Sequence, residues 1–154
     1  MVIAALISPI MVLKPSRRQK TILVLREEAR RRGLQVQVMA DAITDSEGHN
    51  VTSVRYFVPW LAKDLDRAGS KPWLLMRDAG RGRASRWSGW RWQTNEAPQH
   101  HQSAIDKVIF EMPNSVNAVS ADGQGLGVYW REHGGASSVH EIEKSIKIIY
   151  SKII

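Results

Sequence analysis

The chain of 154 residues contains no cysteine. That excludes a disulfide framework, a zinc ribbon and thiol chemistry, and it fits a cytoplasmic compartment. Gly80-Arg81-Gly82 and Gly123-Gln124-Gly125 lack the further glycine and the strand-to-helix setting of a dinucleotide loop. There is no Walker A sequence, no G-x-S-x-G elbow and no Ser-His-Asp set. Internal repeats, linkers and low-complexity tracts are also missing. Acidic residues are scarce in one place above all. Lys14 to Gly33 holds Lys14, Arg17, Arg18, Lys20, Arg26, Arg30, Arg31 and Arg32 against Glu27 and Glu28 alone, eight minus two or +6. The whole chain carries +7, so everything outside that stretch sums to +1.

Before the basic stretch stands an uncharged apolar run, Met1 to Leu13. A secretory signal places its positive charge ahead of the apolar region, and here the order is reversed. The asymmetry predicts an amino-terminal membrane anchor over 1–14, with its amino terminus outside and the rest of the chain cytoplasmic. Thirteen helical residues reach only ~20 Å of a ~30 Å hydrocarbon core. Three readings therefore stand side by side: a span continued by residues upstream, an interfacial anchor, and a buried core helix.

After it, 15–154 reads as one cytoplasmic α+β domain that opens with a basic helix over 15–33. Ser16 is placed to cap that helix and Gly33 to stop it. Glu27 can pair with Arg30 or Arg31 along it. Leu34 to Ala40 alternates apolar and polar residues, as a half-buried strand does. Strands follow over 51–60, 71–77 and 86–94, joined by links too short for helical crossovers. A four-stranded antiparallel meander is therefore expected. Then come a helix over 103–112, a hairpin about Asp122-Gly123-Gln124, and a carboxyl-terminal amphipathic helix. Val139, Ile142, Ile146, Ile149, Tyr150 and Ile153 form the stripe of that last helix, with Ser137 or Ser138 as its cap.

Two constellations suggest binding. Lys14, Arg17, Arg18 and Lys20 suit anionic lipid headgroups, each basic residue near such a surface contributing about 1 kcal/mol. Arg81, Arg83, Arg86, Trp87 and Arg91 interleave cations with indole, the pairing of a single-strand nucleic-acid platform. The simpler account of that segment makes Trp87, Trp90 and Trp92 core and the arginines a solvated face. His49, His100, His101, His133 and His140 have no metal-ligand spacing. No cofactor and no catalytic residue are expected.

At the join of the apolar run and the basic helix, Ile10-Met11-Val12-Leu13-Lys14-Pro15-Ser16-Arg17-Arg18 and Lys20 resemble YajC, the single-span bacterial inner-membrane family that accompanies the preprotein translocase. The resemblance covers about 30 residues. It implies a bacterial inner-membrane protein with a non-catalytic accessory role near protein export and an inner-membrane protein partner. The leading expectation is thus a membrane-anchored accessory or scaffold protein whose α+β domain binds a partner. The alternatives are a nucleic-acid module built on 77–92 and an enzyme. Oligomeric state is not legible.

Overall fold

The computed structural model describes residues 14–45, 47–68 and 71–154. The first helix, α1, runs Arg17–Arg31. Ser16 Oγ accepts the Gln19 amide at 3.2 Å, and the Gln19 side chain accepts the Ser16 amide at 2.7 Å. The reciprocal pair satisfies two donors that the first turn would otherwise leave unpaired. At the other end Gly33 takes φ +81°, and the Leu34 amide returns to the Ala29 carbonyl at 2.9 Å. This left-handed step stops the helix and turns the chain directly into a strand.

Seven strands form one sheet: β1 (Gln35–Thr44), β2 (Asn50–Pro59), β3 (Trp73–Arg77), β4 (Arg83–Ala84), β5 (Trp90–Trp92), β6 (Val116–Ala121) and β7 (Gly125–Trp130). Their order is β1-β2-β7-β6-β3-β5-β4, and neighbouring strands are antiparallel. A short turn of 3-10 helix (Ala62–Asp64) runs into α2 (Leu65–Ala68) between β2 and β3. Helix α3 (Gln99–Ile105) precedes β6, and α4 (Ala136–Ile153) ends the chain.

The α+β class and the antiparallel sheet agree with the sequence reading. The four-stranded meander does not. The β6–β7 hairpin is inserted between β2 and β3, where a meander would have made those two strands neighbours. Burial explains the insertion. Every residue of β6 and all of β7 except Tyr129 is buried, so these strands need cover on both faces and both edges. The 3-10 turn and α2 lengthen the β2–β3 link enough to carry the chain past them. Close approach is built in at Gly127, where a Cβ would collide with Phe57 Cβ and the Tyr56 carbonyl.

One face of the sheet carries the main core. Val139, Ile142, Ile146, Ile149 and Ile153 of α4 pack with Leu126, Val128 and Trp130 of β7 and with Trp73, Leu75, Trp90 and Trp92. Each such aliphatic side chain contributes roughly 1.5–3 kcal/mol when fully buried. Leu25 and Ala29 of α1 and Ile105, Val108, Ile109 and Met112 complete it. The opposite face carries a smaller cluster of Met76, Ala79 and Ala118, against which Ile43, Leu74 and Tyr129 pack.

Local boundaries shift in two places. The helix expected over 103–112 begins at Gln99 and is α-helical only to Ile105, although its four apolar residues face inward as expected. Helix α4 begins at Ala136 on a Gly135 cap that makes no side-chain bond, so neither Ser137 nor Ser138 caps it.

The expectation of a single-pass membrane protein of the bacterial inner membrane is corrected. Among the described residues no helix is long and apolar enough to cross a membrane. A span needs about 20 largely apolar residues. Helix α1 has 15 residues and six cations, and α4 has one apolar stripe and a charged outer face. The expected anchor itself, Met1 to Leu13, lies outside the described residues.

Candidate functional site

The basic stretch that dominates the sequence divides into two populations. Arg18, Arg26 and Arg32 hold α1 to the body of the domain. Arg18 donates to the Glu132 carbonyl at 2.7 Å and the Arg131 carbonyl at 2.9 Å. Arg26 makes a forked pair with the Glu132 carboxylate, Nε to Oε1 at 2.8 Å and Nη2 to Oε2 at 3.0 Å. Arg32 donates to Glu28 at 2.7 Å and to Glu143 of α4 at 3.0 Å, with His140 Nδ1 at 2.9 Å. Its two carboxylate partners raise the Arg32 pKa. Glu143 shows the converse: burial pushes its pKa up, but bonds from Lys147 and Arg32 outweigh that and leave it lowered.

Glu132 is the centre of this attachment. It is only 3 % exposed, and its backbone takes φ +53°, a conformation costly for a residue with a side chain. The Tyr56 hydroxyl donates to its Oε1 at 2.9 Å, and the Tyr56 ring meets Trp130 edge to face at 5.1 Å. The hydrogen bond with Glu132 raises the Arg26 pKa above its ordinary value. Burial, then the adjacent Glu132 charge, push the Tyr56 phenol well up. A carboxylate in a strained loop beside a tyrosine and an arginine has the look of a catalytic group. Its two oxygens, however, are already taken by three donors of the chain, and the geometry is that of a clasp.

The second population faces out. Lys14, Arg17 and Lys20 are exposed and make no ion pair with the described residues. Leu23 and Val24 are 61 % and 64 % exposed between them and the Arg30–Arg31 pair. Glu27 lies 3.9 Å from Arg30 and 3.5 Å from Arg31, the pairing anticipated from the sequence. Beside this face runs an open groove of about 530 Å³, lined by Lys14, Pro15, Gln19, Ile22, Leu23 and Arg26. Its lining joins the apolar Pro15, Ile22 and Leu23 to the free cation Lys14 and to Arg26, whose charge is met by Glu132. Of the four residues assigned to headgroups, Lys14, Arg17 and Lys20 share this outward face, whereas the Arg18 guanidinium is spent on carbonyls.

Comparison with protein-family models, curated proteins and solved structures finds no match to this chain.

The Arg/Trp segment is arranged as core plus solvated face. Trp87, Trp90 and Trp92 are buried. Trp92 meets Trp73 and Trp87, each at 5.9 Å and edge to face. Trp87 Nε1 donates to Asp106 at 2.7 Å; Arg86 pairs with the same carboxylate at 2.6 Å and lies over the Trp87 ring. Arg83 bonds the Thr94 carbonyl and sits 3.7 Å from Glu96. Arg91 reaches the Gly82 carbonyl, and Arg81 reaches Thr44. The five residues lie in one segment, but Trp87 is buried and Arg86 lies over its ring, which leaves little of it for a base to stack on.

Two features escaped the sequence. Arg55 is fully buried, pairs with Asp122 at 2.7 Å and donates to the Gly125 carbonyl at 2.9 Å. Asp122 in turn accepts the amides of Gln124 and Gly125, and its carbonyl accepts Trp60 Nε1. This knot ties the end of β2 to the β6–β7 turn. His101, also fully buried, accepts the Trp73 indole N–H at Nδ1 and so carries its proton on Nε2. Burial, aided by the His100 ring 4.3 Å away, lowers its pKa to about 4. Among the described residues no group of three or more His, Asp or Glu side chains is placed to hold a metal ion.

Proposed function

We propose that this domain is a non-catalytic accessory module that binds an acidic protein partner on the outward face of α1. One observation carries the reading: Lys14, Arg17 and Lys20 stand unpaired among the described residues beside exposed Leu23 and Val24, while the inward arginines of the same helix are committed to anchoring it. A helix pinned in this way presents Arg17 and Lys20 in a fixed arrangement, with Lys14 just ahead of its Ser16 cap. That arrangement lowers the conformational cost of binding. The exposed leucine and valine supply apolar area at the centre of a charged rim, the usual composition of a protein interface. An acidic amphipathic segment fits both features, its carboxylates meeting the cations and its apolar residues entering the groove. The accessory role agrees with what the YajC resemblance implies for the start of the chain.

The test is a fluorescence titration with an acidic Glu/Leu amphipathic peptide at about 50 and 200 mM salt, on the parent chain and on the K14E/R17E/K20E variant. Binding should weaken at the higher salt, and the variant should lose at least tenfold in affinity, about 1.4 kcal/mol. Unchanged binding in the variant, or association with anionic vesicles but not with the peptide, would refute the assignment.

A further inference from the structure

The two edges of the sheet are protected unequally. At one edge, β4 is two residues long and carries the exposed, charged Arg83. Short length and charge are how edge strands are kept from pairing with foreign chains. The other edge is β1, which among the described residues pairs with β2 alone. Its outer part is irregular, with the register shifting between Val38 and Ile43. Its inner part is regular: Gln35, Val36, Gln37 and Val38 pair in step with Phe57, Tyr56, Arg55 and Val54. That stretch has no charge, no proline and no bulge, and Val38 is 60 % exposed.

On the sheet face beside this stretch a groove of about 350 Å³ crosses from β1 to β2, lined by Gln35, Val36, Gln37, Phe57, Pro59 and Gln124. The Gln37 side-chain oxygen is buried and has no hydrogen-bond partner among the described residues. Arg30 and Arg31 end α1 just before the Gly33 turn into β1, so the unprotected edge starts beside a cationic helix end.

We infer that β1 accepts an extended, acidic-flanked peptide segment of a partner protein as an eighth, antiparallel strand along Gln35–Val38. Main-chain hydrogen bonds supply the affinity and alternate side chains the selectivity. Apolar residues of the incoming strand lie beside Val36 and Val38, and hydroxyl or amide residues beside Gln35 and Gln37. An antiparallel strand brings its carboxyl-terminal end to Gln35, so acidic residues there meet Arg30 and Arg31. Charge selects this occupant over a second copy of the chain, because two copies each carrying +7 repel. The inference goes beyond the α1 assignment and uses different residues, so either can fail alone.

The probe is the peptide acetyl-Thr-Val-Thr-Val-Thr-Val-Glu-Glu-amide, titrated into the full chain by fluorescence anisotropy. Its control carries N-methyl groups on alternate backbone amides, which removes strand hydrogen bonds without altering the protein. Saturable binding is expected. It should weaken at least about tenfold for the N-methylated peptide and about fivefold in V38K, whose exposed site leaves the fold intact. The K14E/R17E/K20E variant should bind this probe as the parent does. Absence of binding at about 1 mM, or equal affinity for the two peptides, overturns the inference. So does a concentration-dependent dimer that V38K abolishes, since the edge would then belong to a second copy.

Discussion

Removing the Glu132 carboxylate tests whether it is a clasp or a dispensable loop residue. In E132A the Tyr56 hydroxyl, on a fully buried residue, loses its acceptor. An orphaned buried donor costs about 1–3 kcal/mol. Arg26 loses a forked partner as well. Breaking a fully buried pair costs about 3–5 kcal/mol, but the Arg26 side chain is 25 % exposed and regains water, so about 1–2 kcal/mol is a fairer share. The sum is about 3 kcal/mol. Alanine gains nothing at φ +53°, whereas E132G relieves roughly 1 kcal/mol of backbone strain. E132Q keeps an acceptor for Tyr56 and loses only the charge, for about 2 kcal/mol. Urea unfolding followed by tryptophan fluorescence should therefore order the variants as parent, then E132Q and E132G, then E132A, with an unchanged denaturant slope. A loss in E132A below about 1 kcal/mol, or E132Q no better than E132A, would show that the clasp does not hold the helix.

Three further outcomes follow from buried groups. His101 stays neutral in the folded chain down to about 4, whereas an unfolded histidine takes up its proton near 6.5. The unfolded state therefore binds more protons between those values. Stability should rise by about 3 kcal/mol from pH 4 to 6.5, and urea midpoints for H101Q should lack most of that rise. Tyr56 has the opposite sign at the alkaline end. Its raised pKa keeps it neutral in the fold, so stability is intact below about 10 and falls as pH climbs beyond it; Y56F should flatten that fall in alkaline melts. G127A should destabilise by about 2–3 kcal/mol in the same urea assay, because its methyl group meets backbone and Phe57 Cβ, neither able to move freely.

Much of the local structure was legible because it depends on near neighbours. Ser16 and Gly33 mark the ends of α1 through bonds spanning three to five residues, the Gln19 half of the amino-terminal pair being added by the structure. Trp90 and Trp92 share a buried face because a strand alternates, and the α4 stripe is buried because a helix repeats every 3.6 residues. The candidate site was half legible. Composition located the basic helix, but nothing in the spacing of Arg17, Arg18 and Lys20 separates the arginine that anchors from the cations that remain free. That depends on Arg131 and Glu132, more than a hundred residues away.

Sequence alone determined the α+β class, the basic first helix and the amphipathic last helix, since each follows from periodicity, capping and composition; of the two accounts it left for Trp87, Trp90 and Trp92, the structure chose burial. Tertiary structure alone decided that the hairpin enters the middle of the sheet, that Glu132 joins Arg26 and Tyr56, that Arg55 is buried against Asp122, and that β1 has no second strand beside it among the described residues. The reason is physical. Periodicity states which face of an element is apolar but not which element covers it, and that choice is made by burial and hydrogen-bond satisfaction over the whole chain.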